Sequence, residues 1–397
     1  MFSFLIDRRE RGGLLFRHPE ATATKEIVYP VFIPYAGCPT RCLFCAQDIQ
    51  TGKGEQSVAN ALAEAEYNLV RRPAHLPLPE LAFYGGTFTA LPHHQLEQCL
   101  QFASTMLAQG KVHSVRCSTR PDCISPEILH QLAKAGVATI ELGIQSFAGP
   151  ALEVSQRGYS PQVALEAARA ITATSMRLGI QLMPGMPGQT FSHALEDVRL
   201  CTELKPDFVR LYPCLVLKGT ALEQAWLRGE YQPWEMGQTV SFLAEACLAL
   251  WRAHIAVARI GLAPEENLDT AVLAGAFHPA LGSQARALAL HTHIRTQLLH
   301  NPALAAHQGK DFTLHVPQRY SGQFWGHRAD LEEAYTALGL CRQRIQFWDM
   351  PYFSLQYNNA SPVPPCATAH SPTPAPRGSM GRAARRRARR LGEHNGR

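Results

Sequence analysis

The sequence predicts an α/β fold: a parallel sheet curled into a partial barrel of six β/α units, followed by a smaller α/β extension. Short apolar runs recur from residue 28 onward, longer stretches of helical period separate them, and a cluster of glycine or polar residues follows each run. Strands buried on both faces read as continuous apolar runs, and their alternation with amphipathic segments marks a parallel sheet covered by helices.

The strand candidates are 28–35, 81–84, 114–118, 138–144, 179–183 and 208–212. Between the first two, Val58, Leu62, Ala65 and Leu69 share one helical face; after the second, so do Leu96, Cys99, Leu100, Ala103, Met106 and Leu107. Further helices are expected at 126–135, 161–175, 191–204 and 236–254. Thr190 is placed to cap the third of these, with Glu196 and Asp197 in its early turns near the positive end of the helix dipole. Right-handed crossovers then curl the six strands into an open barrel. The expected division is an N-terminal extension (1–27), the barrel (28–254), and a C-terminal extension (255–356) with a helix at 284–299 and a closing α/β piece at 331–338 and 344–348. A Pro- and Arg-rich tail (357–397) has a composition that reads as disordered.

With 397 residues, 46% of them hydrophobic, the chain can bury a large core. No run reaches the roughly 18 apolar residues of a membrane span, and the apolar opening leads directly into Asp7, Arg8, Arg9, Glu10 and Arg11. Neither a signal peptide nor an anchor is read, and a cytoplasmic protein is expected. The net charge of +6 hints at nucleic acid until it is located. Residues 377–397 hold eight arginines against one glutamate, leaving the rest of the chain at −1.

Of eleven cysteines only Cys38, Cys42 and Cys45 are tightly grouped. The spacing C-x3-C-x2-C directly after the first strand lets one loop present three thiolates to one centre. A structural zinc site wants four protein ligands, and here the fourth would have to come from a distant residue such as His93 or His94. An iron–sulfur cubane held by three thiolates keeps one iron open for a further ligand.

This spacing, with Phe44 before the third cysteine, resembles the signature of the radical S-adenosylmethionine superfamily. The stretches PVFIPYAGCPTRCLFCAQ, FYGGTFTALP, STRP, IELGIQSF, RGY, LMPGMPGQT, KPDFVRLYPCLVLKGTALEQAW, ARIGLAP and AGAFHPALG are similar to the radical domain of the Elongator catalytic subunit family in its short form without the acetyltransferase domain. More distantly they resemble oxygen-independent coproporphyrinogen oxidase. The resemblance implies a [4Fe-4S] cluster on Cys38, Cys42 and Cys45. It also implies S-adenosylmethionine on the open iron, an electron donor of flavodoxin or ferredoxin type, and a 5′-deoxyadenosyl radical that abstracts hydrogen from an unidentified substrate, a transfer RNA or a small molecule. Each motif falls at the C-terminal end of an expected strand, where β/α barrels gather their reactive groups.

The cofactor contacts follow in the same way. Gly85 and Gly86 permit close backbone approach to the methionyl amine, and Thr87 adds a hydroxyl. The resemblance places Ser118, Gln145 and Gln181 near the ribose and methionyl groups, Arg157 at the carboxylate as a planar fork, and Phe44 beside the adenine. Glu141 and Lys218 are further rim candidates. Tyr35 stands where the family more often has histidine, and Ala46 where it often has asparagine. No acetyl-CoA loop is found. The alternative reading is a non-catalytic metal-binding module that contacts nucleic acid through the cysteine loop and the tail.

Because the body of the chain is near neutral, RNA binding is expected to be weak and to run mainly through the arginine-rich tail. Deleting residues 361–397 should remove most salt-sensitive transfer-RNA binding in filter or anisotropy assays while leaving iron content unchanged. Tight binding by the truncated chain would instead place an RNA site on the barrel.

Overall fold

The computed structural model describes residues 14–20, 27–47, 49, 57–262, 268–300 and 312–357. Most of the N-terminal extension and nearly all of the expected tail, with its arginines, lie outside the described residues. Seven strands form one parallel sheet: β2 (Val28–Phe32), β3 (Glu80–Tyr84), β4 (Ser114–Thr119), β5 (Val137–Gln145), β6 (Arg177–Leu182), β7 (Phe208–Leu211) and β9 (Ala256–Ile260), neighbours in that order. The curled sheet is the expected partial barrel with one strand more than the six anticipated. The seventh strand escaped notice because only Val257 of its five residues is fully buried, so its sequence lacks the apolar run of a central strand. It also lies beyond residue 254, where the barrel was expected to end.

The helices between strands cover the outer face. Thr190 caps helix Phe191–Leu204 in a reciprocal box: its hydroxyl accepts from the His193 amide at 3.1 Å, and His193 Nδ1 accepts from the Thr190 amide at 3.3 Å. Helix Met236–Arg252 packs on this helix and on helix Leu281–Leu299. The latter joins two cores: Leu281, Ala285 and Ala289 sit in the barrel core, while Leu290, Ile294 and Leu298 belong to the extension.

The extension is a four-stranded sheet in the order β1 (Leu14–Phe16), β13 (Phe353–Tyr357), β11 (Phe312–Pro317), β12 (Ile345–Trp348), with only β11 and β12 parallel. A two-stranded ribbon, β8 (Val216–Leu217) with β10 (Val272–Ala274), lies after β7. No described helix is long and apolar enough to cross a membrane.

Inside the barrel, Gly179 of β6 makes room for the Phe208 ring of β7. A Cβ added at Gly179 would stand 2.4 Å from the tip of that ring. Gly179→Ala is therefore expected to destabilise the chain by about 1–3 kcal/mol through overpacking, read as a lowered urea midpoint. Combining it with Phe208→Leu should recover part of the loss, and strictly additive losses would show that the two side chains do not compete for space.

Candidate functional site

The C-terminal ends of the strands surround a cavity of about 490 Å³. The loop after β2 carries the three cysteines, and its backbone rests on the turn after β3. The Thr87 amide donates to the Ala36 carbonyl at 2.8 Å, while the Gly86 and Tyr35 amides both donate to Gln47 Oε1, at 2.8 and 2.6 Å. Gly37 and Gly86 have positive φ, and a Cβ on Gly86 would lie 2.0 Å from the Ala36 oxygen. Only glycine permits that contact. With the Gly86 and Thr87 amides spent on the cysteine loop, this turn has carbonyl oxygens left for a ligand, the acceptors an ammonium group needs.

Cys38, Cys42 and Cys45 all line the cavity. Thr87 is fully buried with its hydroxyl 3.4 Å from Cys38 Sγ, so it faces a thiol. Burial, followed by the neighbouring sulfurs of Cys42 and Cys38, pushes the Cys45 thiol up to about 12. Burial likewise raises Cys38. Thiols this reluctant to ionise become thiolates at neutral pH only beside compensating positive charge, which bound iron supplies. Among the described residues, no three His, Cys, Asp or Glu side chains are grouped as ligands of a single metal ion. His93 and His94, the imagined fourth zinc ligands, lie instead in a groove on the outer helices, where His93 stands 3.5 Å from Glu97.

At the end of β5 the pairing with β6 shifts register between Leu142 and Gln145, and Gln145 takes a positive φ. The bulge frees two carbonyls for other donors. Tyr159 approaches both, its hydroxyl 2.8 Å from the Ile144 oxygen and 3.2 Å from that of Gly143. Arg157 donates to the Gly143 carbonyl, to the Tyr159 hydroxyl, and to Cys42 Sγ at 3.0 Å. It is 5% exposed. These bonds use four of its five N–H groups, so a carboxylate would meet one donor here and not the expected fork. Gln145 is also buried and lines the cavity.

Ser118 and Gln181 meet across the barrel at 3.4 Å, and Gln181 donates to Glu141 at 3.0 Å. Glu141 is fully buried between Arg116 (2.9 Å) and Arg210 (2.8 Å), and it accepts from the Tyr84 hydroxyl at 2.8 Å. Burial works to raise this carboxyl, but Arg210 and then Arg116 outweigh it and hold it below the usual range. Phe44 lines the cavity and packs with Ala151, Met186 and Tyr231. Lys218 is exposed and outside the cavity. Arg116 and Arg120 are 3% and 5% exposed and belong to the barrel interior.

Sequence reasoning missed Tyr84, Tyr159, Arg210, Tyr212 and Arg259, all of which border or brace this cavity. All five lie within the quoted motifs, but nothing in those short segments says that they meet at one cavity.

A family model described as Radical SAM superfamily matches residues 32–201, and one described as Radical SAM C-terminal domain matches residues 206–289. A tRNA uridine(34) acetyltransferase of Methanocaldococcus jannaschii is 30% identical over 187 residues, covering 42% of this chain and 35% of the relative. The enzyme of that description from Methanocaldococcus infernus is 26% identical over 273 residues, covering 59% and 51%. The chain thus spans about half or less of these relatives' length. The solved archaeal Methanocaldococcus infernus Elp3 with an N-terminal deletion overlaps 69% of this chain and 64% of its own, at 22% identity and a TM-score of 0.49.

Beneath the site, Asp197 braces the turn after β5. Its carboxylate accepts from the Phe147 amide and the Ser146 hydroxyl, both at 2.7 Å, and from Gln189 at 2.8 Å. Burial nevertheless lifts its carboxyl from 3.8 to about 6. A folded-state pKa above the unfolded one means that the folded chain binds the proton more tightly. Its stabilising contribution is therefore full below about pH 4 and is lost as the pH rises through about 6. Urea midpoints across that window should fall more steeply with pH in the native chain than in Asp197→Asn; equal slopes would remove Asp197 as the titrating group.

Proposed function

Because the chain belongs to the radical SAM superfamily, we propose that its cavity holds a [4Fe-4S] cluster on Cys38, Cys42 and Cys45, with S-adenosylmethionine beside it. The observation that carries the reading is the backbone-locked cysteine loop opening onto a cavity whose other walls come from the ends of the remaining strands. Bound there, the reduced cluster would supply the electron that splits S-adenosylmethionine into methionine and a 5′-deoxyadenosyl radical for hydrogen abstraction.

The residues of the chain take distinct parts in this reading. The Gly85–Gly86 turn offers carbonyls to the methionyl amine. Arg157 offers its remaining N–H to the carboxylate, while its contact with Cys42 sets a positive charge against that thiolate. Ser118, Gln145 and Gln181 supply hydroxyl and amide groups along the floor. Phe44 borders the site as an apolar wall for the adenine. The substrate is a transfer RNA or a small molecule, and a flavodoxin- or ferredoxin-type protein delivers the electron. The curated relatives' printed activity on transfer-RNA uridine 34 favours the first substrate class, and the near-neutral body of the chain favours the second.

Anaerobic reconstitution should give a brown protein with broad absorbance near ~400 nm, where zinc would leave it colourless. Cys38→Ala, Cys42→Ala and Cys45→Ala should each abolish cluster assembly, whereas Cys99→Ala, which removes a buried helix thiol, should not. Reduced holoprotein should release 5′-deoxyadenosine and methionine. Arg157→Ala should weaken S-adenosylmethionine binding by about 1.5–3 kcal/mol, the value of one charged hydrogen bond. A colourless protein, or iron retained in any of the three variants, overturns the assignment.

A further inference from the structure

The arginines bordering the cavity differ in what neutralises them. Arg157 is committed to Cys42 and the β5 carbonyl. Arg120 forms a two-point pair with Asp122, at 2.9 and 2.8 Å. Arg210 lies 2.8 Å from Glu141. Arg259, on β9, has no such partner: its Nε donates to the Gly261 carbonyl at 3.1 Å, and no carboxylate among the described residues pairs with it.

The interior charge does not balance either. On the cavity wall one carboxylate, Glu141, faces five guanidiniums, those of Arg41, Arg120, Arg157, Arg210 and Arg259. Asp122 answers Arg120 and Glu141 answers Arg210, while no carboxylate among the described residues pairs with Arg259. In a cavity with low-dielectric walls, uncompensated positive charge favours a bound anion. Tyr212 stands in the same corner, its hydroxyl 3.4 Å from Arg210. The corner lies at β9, an outer strand of the sheet.

We propose that Arg259, with the Tyr212 hydroxyl and Arg210 behind it, binds an oxyanion of the substrate, a carboxylate or a phosphate, on the β7 and β9 wall of the cavity. The inference rests on the reading of the cysteine loop and the Gly85–Gly86 turn as the cofactor site, because that reading uses neither Arg259 nor Tyr212. The guanidinium fork suits either anion. With one end of the substrate anchored there, its remainder extends toward the centre of the cavity, where the cofactor is read.

The test titrates inorganic phosphate and, separately, succinate into the cluster-loaded, S-adenosylmethionine-saturated full chain by calorimetry. At least one probe should bind, Arg259→Gln should weaken it tenfold or more, and Arg259→Lys should fall between. The probe that binds more tightly tells phosphate from carboxylate. S-adenosylmethionine affinity should stay within about twofold in both variants, a difference under 0.5 kcal/mol. Three results overturn the proposal alone: no binding of either probe to the native chain, binding indifferent to both substitutions, or a loss of S-adenosylmethionine affinity in Arg259→Gln, which would assign this arginine to the cofactor. A native chain that assembles no cluster or binds no S-adenosylmethionine overturns the cofactor reading and this inference together.

Discussion

The contact on which the mouth of the barrel depends is the close approach of main chain to main chain between the cysteine loop and the turn after β3, with the Gln47 side chain bridging the two. At Gly86 even a methyl group would collide with the Ala36 carbonyl, and the two amides that follow from this closeness tie the loop down. The position of the three sulfurs is thereby set by backbone geometry. Side chains then adjust what surrounds them: Thr87 beneath Cys38, Arg157 against Cys42, and Arg41 stacked 4.0 Å from the centre of the Tyr35 ring.

Below the mouth a second constraint operates. Glu80 and Glu141 are sealed from solvent, and such groups are tolerated only where paired charges and hydrogen bonds answer them. Arg116 spans both, Arg210 and Tyr84 close on Glu141, and Gln181 carries the chain of contacts to Ser118. Replacing this web with apolar side chains of equal volume would not by itself weaken the fold. Its contribution is orientation, since it holds the polar floor of the cavity in one arrangement.

The sequence disclosed those parts of the site that are contiguous in it. The cysteine loop, the paired glycines and the strand ends were legible because each is a short segment whose spacing carries its chemistry. The cap at Thr190 was legible too, although its partner is His193, and Asp197, expected to serve the helix dipole, turns inward to brace the β5 turn. Arg157 was singled out, yet its bond to the Gly143 carbonyl was not foreseen, because the bulge is a matter of register between β5 and β6. Tyr84, Arg210 and Arg259 come from three strands and meet only when the sheet curls. An arginine on a strand, read one residue at a time, looks like a surface charge. β9 itself was invisible because an edge strand needs little apolar character.

The small sheet has a further property. β1, at residues 14–16, pairs with β13, at residues 353–357, so the first described strand waits for nearly the whole chain before it has a neighbour. On a ribosome the barrel strands emerge in sequence order, and six of the seven sit next to the strand made just before them. The extension cannot close until its final strand is released, and among the described strand pairings this one closes the longest loop and carries the largest loop-closure entropy.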